Sequence, residues 1–370
     1  MRFETSEART PLRVLYVAYA LLPVSEHSAG GSEQILWTLE REMYARGVQT
    51  TVAACTQSQA AGELFATGDQ PEAADQFEEC ARRQTRTLID WLSAGADAQF
   101  DLVHDMSGYF WQHAGSIQLP LLATLHLPRV LYKHINFTGI PSNVFFNCVS
   151  QTQTFEFKDV SAHLIGVAPN GIALERFPKE PKLQAEHEYL LWLGRICEEK
   201  GTHTALDVAH AAGKKIVIAG AVYPFLYHQK YFAREVIPRL KRAGSMAKYI
   251  ERPTFVEKIA LMRNAQALLL TSNIAETSSV VAMEAAACGT PMIAFHRGAL
   301  PEVIADGVTG ILAQDIGGMV TATSQIGKIS SEGCRRYAEL HYSAPAMADK
   351  YEELYRAVLQ GTLEMTQAVD

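Results

Sequence analysis

The chain has 370 residues, a net charge of -7, and 48% hydrophobic and 20% charged residues. That length exceeds one ordinary core and points to two domains of roughly 150 to 200 residues. The acid excess, already present in the first 150 residues, argues against nucleic acid and against a polybasic grip on anionic lipid.

The N-terminal stretch "PLRVLYVAYALLPV" has the apolar character of an export signal. Acidic Glu4 and Glu7 precede it and no clean small-residue cleavage site follows, so a first β-strand is expected instead. No apolar run approaches the roughly 20 residues of a membrane span. Cys55, Cys80, Cys148, Cys197, Cys288 and Cys334 are scattered, mostly inside apolar runs, without a C-x-x-C pair. Buried thiols in a reducing compartment are expected, and with them a cytoplasmic location.

Short apolar runs then alternate with helix-length amphipathic stretches. The first half offers "RVLYVAYA", "QTTVAAC", "DLVHDM", "PLLATLH", "VFFNCVS" and "HLIGVAPN" as strands; the second offers "EYLLWLG", "KKIVIAG", "AKYIE", "ALLLTS", "PMIAF" and "TGILA". Runs this short, apolar on both faces and closed by Gly, Asn, Ser or His, fit buried parallel strands. Helices such as "GSEQILWTLEREMYARG", "GTHTALDVAHAAG" and "VEKIALMRNA" separate them. The expected class is α/β, with two doubly wound Rossmann-like domains facing a cleft. Their boundary is expected in the charged, proline-bearing "ERFPKEPKLQAEHEY", giving domains at 12–175 and 186–340. The amphipathic "APAMADKYEELYRAVLQ" places a last helix within 341–360.

Ligands of open α/β sheets collect outside the carboxyl ends of strands, and four stretches place unusual residues there. In "SEHSAGGSEQ", Gly30 and Gly31 permit close backbone approach, and Ser32 is expected to N-cap a helix whose free N–H groups favour phosphate. A plain turn is the bland alternative. In "TLHLP", His126 closes a strand where it can bond a hydroxyl or handle a proton, although a structural role is equally open to it. His104, Asp105 and Ser107 stand at another strand end with weaker claims. In "LGRICEEKG", Arg195 and Lys200 suit a diphosphate, against the alternative of a solvated pair.

The fourth stretch is "NIAETSSVVAMEAAACGTP". Ser278 and Ser279 are expected as N-caps, Glu276 lies in the loop, and Glu284 sits in a helix of Val, Ala, Met and Cys. A lone carboxylate there is costly unless something polar meets it. Vicinal hydroxyls, as on a ribose, would do so; an arginine of the core would as well.

The motifs "AGGSEQ", "VAPNGIALERF", "LGRICEEKG", the two glutamates seven residues apart, and "EAAACGTPMIAFHRGALPEVIADGVTGILA" carry a resemblance. Over roughly Arg13 to Leu359 the chain resembles the family 4 glycosyltransferases, retaining and nucleotide-sugar-dependent, of GT-B fold. "HDMSG", "TLHLP" and "GAVYPFLYHQKYFAREVIPRL" resemble the subgroup that includes the avilamycin-pathway transferase.

The resemblance implies a C-terminal helix crossing back to the first domain, a catalytic set of His126, Glu276, Arg195 and Lys200, and a donor site. In it Glu284 binds ribose hydroxyls, and Glu276 with the amides of Thr277 to Ser279 holds the transferred sugar. Arg195 and Lys200, beside Gly194, neutralise the departing diphosphate, and Gly30 and Gly31 approach phosphates and acceptor. His126 bonds the sugar; Arg252 and Pro253 match the base-contacting loop. It further implies no metal, no permanently bound cofactor, and a UDP-, GDP-, ADP- or dTDP-sugar as donor for transfer to a hydroxyl. Thr277-Ser278-Ser279 departs from the family's usual glycine-ending triplet, which leaves the sugar open. A disaccharide synthase or phosphorylase, a sugar-nucleotide epimerase, an exported solute-binding protein and a non-catalytic nucleotide-sugar binder are the rival readings.

Overall fold

The computed structural model describes residues 11–20, 22–28, 30–71, 76–179 and 189–367. Much of the expected boundary stretch, residues 180–188, lies outside them. Two wholly parallel sheets organise the chain. The first has seven strands: β1 (Arg13–Val17), β2 (Gln49–Cys55), β3 (Glu63–Gly68), β4 (Leu102–Asp105), β5 (Leu121–Leu125), β6 (Val144–Cys148) and β7 (Leu164–Val167). The second has six: β8 (Tyr189–Leu193), β9 (Ile216–Ala219), β10 (Ala247–Ile250), β11 (Ala265–Leu270), β12 (Met292–Phe295) and β13 (Gly310–Ala313).

The strands read as continuous apolar runs because both faces of each sheet are covered. On the first sheet Val14, Tyr16 and Val52 enter one core while Leu15, Val17 and Ala53 enter the other. On the second, Leu191 and Leu268 face one core, and Leu190, Trp192 and Leu269 the opposite one. The exception is β3, an edge strand with no counterpart among the expected ones. Its "ELFATG" mixes polar with apolar residues because one side meets solvent, and Phe65 is covered by stacking on Trp91 at 3.9 Å.

The sheet orders, β3-β2-β1-β4-β5-β6-β7 and β10-β9-β8-β11-β12-β13, fix where a site can form. In each sheet the chain winds outward and then returns to the other side of its first strand. The switch points therefore fall between β1 and β4 and between β8 and β11, where crevices open at the strands' carboxyl ends. The loops after β1, β8 and β11 carry the Gly30-Gly31 turn, the Arg195–Lys200 segment and the Glu276 loop.

The last helix, Ala344–Gln367, crosses back and completes the first domain. Met347, Tyr351, Leu354, Tyr355 and Val358 enter the core beside Tyr16, Ile35 and Leu39. Tyr355 Oη lies 2.7 Å from His104 Nδ1, and His104 Nε2 lies 2.8 Å from Thr124 Oγ1. His104 is thus a core residue, fully buried. Asp105 instead folds its own loop, accepting bonds from the backbone N–H groups of Ser107, Gly108 and Trp111. Across the domains, Glu302 accepts from Gln151 N at 2.8 Å and Thr152 N at 2.6 Å.

Tyr355→Phe removes one partner of a buried imidazole and should cost about 1–3 kcal/mol. The expected readout is a lower urea midpoint for the first domain; an unchanged midpoint would show that His104 does not need this bond.

Candidate active site

The loop between β11 and the helix Val280–Ala287 is held from three sides. Lys200 Nζ lies 2.6 and 2.7 Å from the two carboxylate oxygens of Glu276. Ser272 Oγ also donates to Glu276. The backbone of Glu276 is pinned by Ala299 N at 2.7 Å, with Gly298 at φ 57 packed so closely that a β-carbon would strike Glu276. Glycine is required there by both the left-handed backbone and the contact. Thr277 Oγ1 donates to the His126 carbonyl at 2.6 Å, so this loop of the second domain touches the end of β5 in the first.

Glu284 is buried, and it meets neither an arginine pair nor solvent. Lys258 Nζ, from the helix Phe255–Asn264, lies 2.5 Å from its Oε1, with side-chain exposures of 13% and 5%. Desolvation makes each member of such a pair dependent on the other. Ser279 occupies the N-cap of Val280–Ala287, but neither it nor Ser278 caps the helix through a hydroxyl. The serines do not act as side-chain caps; Ala282 N donates to the Ser279 carbonyl at 3.1 Å, which leaves the N–H groups of Val280 and Val281 without a partner inside the helix.

On the first-domain side, the helix Gly31–Ala45 has its N-cap two residues earlier than expected, at Gly30 rather than Ser32. Ser32 Oγ donates to Glu33 instead, at 3.0 Å. The Glu33 carboxylate folds back over Gly30, where a β-carbon would collide with it. Gly31 lies beside Val280 of the other domain. Burial pushes the Glu33 carboxyl up to about 7, partly offset by its own N–H, Ser32 and the Arg195 charge across the cleft. Arg195 stands over the Tyr223 ring at 5.6 Å. His126 has a buried Nε2 without a partner, and desolvation lowers its pKa to about 4. It is neutral at physiological pH.

A cavity of about 60 Å³ is lined by Gly194, Lys200, Ser272, Glu276 and Ser279. A larger opening, about 570 Å³, lies between β7 and the last helix, and no expected site residue lines it. Arg252, exposed and at φ 48, and half-buried Pro253 follow β10; Arg252 N lies 3.5 Å from the Gly220 carbonyl. Ser272 lines the smaller cavity, Lys258 holds Glu284 and Glu33 folds over Gly30, and none of the three was singled out from the sequence. For Lys258 a signal existed: a buried glutamate in an apolar helix requires a cation.

The arrangement can therefore hold an anion and a polyol. Lys200 and Arg195 supply positive charge, an uncapped helix start supplies N–H donors, and Glu276 and Glu284 supply acceptors.

Two parallel sheets with a cleft and a returning helix define the GT-B fold. Over 95% of this chain and 99% of the other, AviGT4, a glycosyltransferase involved in avilamycin A biosynthesis, superposes with a TM-score of 0.71 at 22% identity. Anabaena HepE in complex with UDP-glucose superposes with a TM-score of 0.72 at 16% identity, over 94% of this chain and all of that one. Residues 187–328 match the family model "Glycosyl transferases group 1". The resemblance to family 4-like GT-B enzymes is thereby borne out. Glycogen synthase of Mycobacterium tuberculosis is 29% identical over 172 residues, 44% of this chain. That match spans only 39% of the relative's length. D-inositol 3-phosphate glycosyltransferase of Mycolicibacterium smegmatis is 24% identical over 88% of this chain and 86% of its own.

Two outcomes follow from the geometry. Lys258→Ala strands a buried carboxylate and should cost about 3–5 kcal/mol, seen as a lower melting temperature; an unchanged one would mean Glu284 is solvated. The depressed pKa of His126 stabilises the fold above pH 6.5 and loses that contribution as pH falls toward 4, up to about 3 kcal/mol. His126→Gln should flatten the stability profile across that window, and an unaltered slope would contradict the burial assigned to it.

Proposed function

We propose that the chain is a retaining glycosyltransferase that moves a hexosyl group from a nucleotide-diphosphate sugar to a hydroxyl of a small-molecule or saccharide acceptor. The observation that carries this reading is the pair of lysine-held carboxylates, Lys200–Glu276 and Lys258–Glu284, flanking an open helix N-terminus at a sheet switch point. The structural neighbour solved with UDP-glucose supports a nucleotide-sugar donor.

In this reading residues 12–175 carry the acceptor and residues 186–340 the donor. Glu284 accepts the ribose hydroxyls, while Lys258 remains its counter-ion. Glu276 and the amides of Thr277, Ser278 and Ser279 hold the sugar, with neutral His126 as a hydrogen-bond partner on the opposite wall. The Gly194 turn presents Arg195 and Lys200 to the diphosphate, and Gly30 and Gly31 close on it from the first domain. Arg252 and Pro253 face the base.

The acceptor oxygen forms the new bond to the anomeric carbon on the face from which the diphosphate leaves. The carbon–phosphate-oxygen bond breaks, and the acceptor's proton passes to the departing phosphate oxygen. Arg195, Lys200 and the helix dipole stabilise the growing charge, so the transfer step needs no metal. The six buried cysteines fit a cytoplasmic enzyme. Among the described residues no helix is long and apolar enough to cross a membrane.

Nucleotide release from sugar nucleotides tests the proposal. Lys200→Ala and Glu284→Ala should each lower kcat/KM by roughly a hundredfold or more, the loss of one charge-assisted contact to a developing anion or one buried hydroxyl clamp. Wild-type turnover in both variants would sink the site assignment.

A further inference from the structure

The Arg195–Lys200 turn itself contributes to a second cluster that the proposed transfer step does not use. Cys197 and Glu199 come from the turn after β8, and His228 from the helix Leu226–Tyr231. One ligand atom from each lies within 4.8 Å of the other two. Cys197 and His228 are 0% and 1% exposed. Nδ1 of His228 and Oε2 of Glu199 are buried without a hydrogen-bond partner, and the Cys197 thiol interacts with the Glu199 carboxylate and the Arg195 guanidinium as well as with the Arg195 carbonyl at 3.6 Å. Two buried polar atoms without partners, in residues that each bring a ligand atom near one thiol, are costly as they stand.

We propose that Cys197, Glu199 and His228 form a binding site for one zinc-class divalent cation. Sulfur, imidazole nitrogen and carboxylate oxygen are the donor set of Zn²⁺, whereas Mg²⁺ and Ca²⁺ take oxygen ligands. Donors on a tetrahedral zinc stand roughly 3.3–3.8 Å apart, within reach of small side-chain adjustments here. On binding, the thiol releases its proton to solvent. Thiolate and carboxylate then supply two negative charges against the ion's two positive ones. This neutrality matters because the Arg195 guanidinium lies against the same thiol and would otherwise repel the ion.

Three protein ligands leave the fourth position to water. The ion ties the turn that carries Lys200 to the helix Leu226–Tyr231, which no hydrogen bond from Cys197 or Glu199 does among the described residues. Its role is to brace that turn, which carries Arg195 and Lys200, and the ion takes no part in bond making or breaking.

The test uses the untagged full chain, stripped with a chelator and titrated with zinc sulfate against a chromophoric zinc competitor. Bound metal is then counted by mass spectrometry after gel filtration. The wild type should retain about one equivalent, and Cys197→Ser and His228→Ala should each bind at least tenfold more weakly, with excess Mg²⁺ failing to compete. Cobalt substitution should give a thiolate charge-transfer absorption that disappears in Cys197→Ser. Circular dichroism checks the fold, and His228→Gln replaces His228→Ala if the latter is unfolded. A wild type that retains no stoichiometric zinc, or an equivalent that persists in both folded variants, overturns the proposal.

Discussion

A carboxylate placed in an apolar helix dictates much of what surrounds it. Glu284 in "VVAMEAAAC" is tolerable only beside a donor of charge or hydrogen bonds, and Lys258 is brought to it from the helix Phe255–Asn264. That helix precedes β11, and Glu284 follows it, so the pair clasps both ends of one β11-centred unit. The Lys200–Glu276 pair repeats the device nearer the solvent, with side chains 34% and 12% exposed. In the inner pair Lys258 balances the charge through one carboxylate oxygen of Glu284. The outer one is open enough for an incoming anion and polyol to compete for its members at modest cost.

Topology then brings the two pairs to the same place. Because both sheets wind outward and return past their first strands, the loops after β1, β8 and β11 gather at facing crevices. The Thr277–His126 bond joins the two walls there, and Glu302 joins the domains at a second point. The returning helix Ala344–Gln367 belongs to the first domain's core through Tyr351 and Tyr355. A site assembled this way is shaped by the relation between domains as much as by either domain alone.

Much of the fold was legible because buried parallel strands advertise themselves as short apolar runs. Twelve expected strands correspond to β1, β2 and β4 through β13, each trimmed by a residue or more at its polar ends except β2. The unforeseen one, β3, fails the pattern because an edge strand with a solvated side keeps its polar residues. Within the site, Glu276, Glu284, Lys200 and His126 were visible as charges or imidazoles at apolar strand ends. That Glu284 needs a cation was readable, but not that Lys258 supplies it, since an amphipathic helix reads the same whether its lysine faces water or another helix. Helix starts were the weakest part: Ser32 looked like a cap, but the N-cap is Gly30, two residues earlier, where the Glu33 carboxylate folds over it.

Nucleotide recognition is the claim on which the functional account stands. Thermal melting of the wild type with UDP, GDP, ADP and dTDP, alongside Glu284→Gln, tests it most directly. The account predicts that one of the four raises the wild-type melting temperature by mass action and that this shift shrinks in Glu284→Gln. No shift with any nucleotide, or an equal shift in the variant, would contradict it.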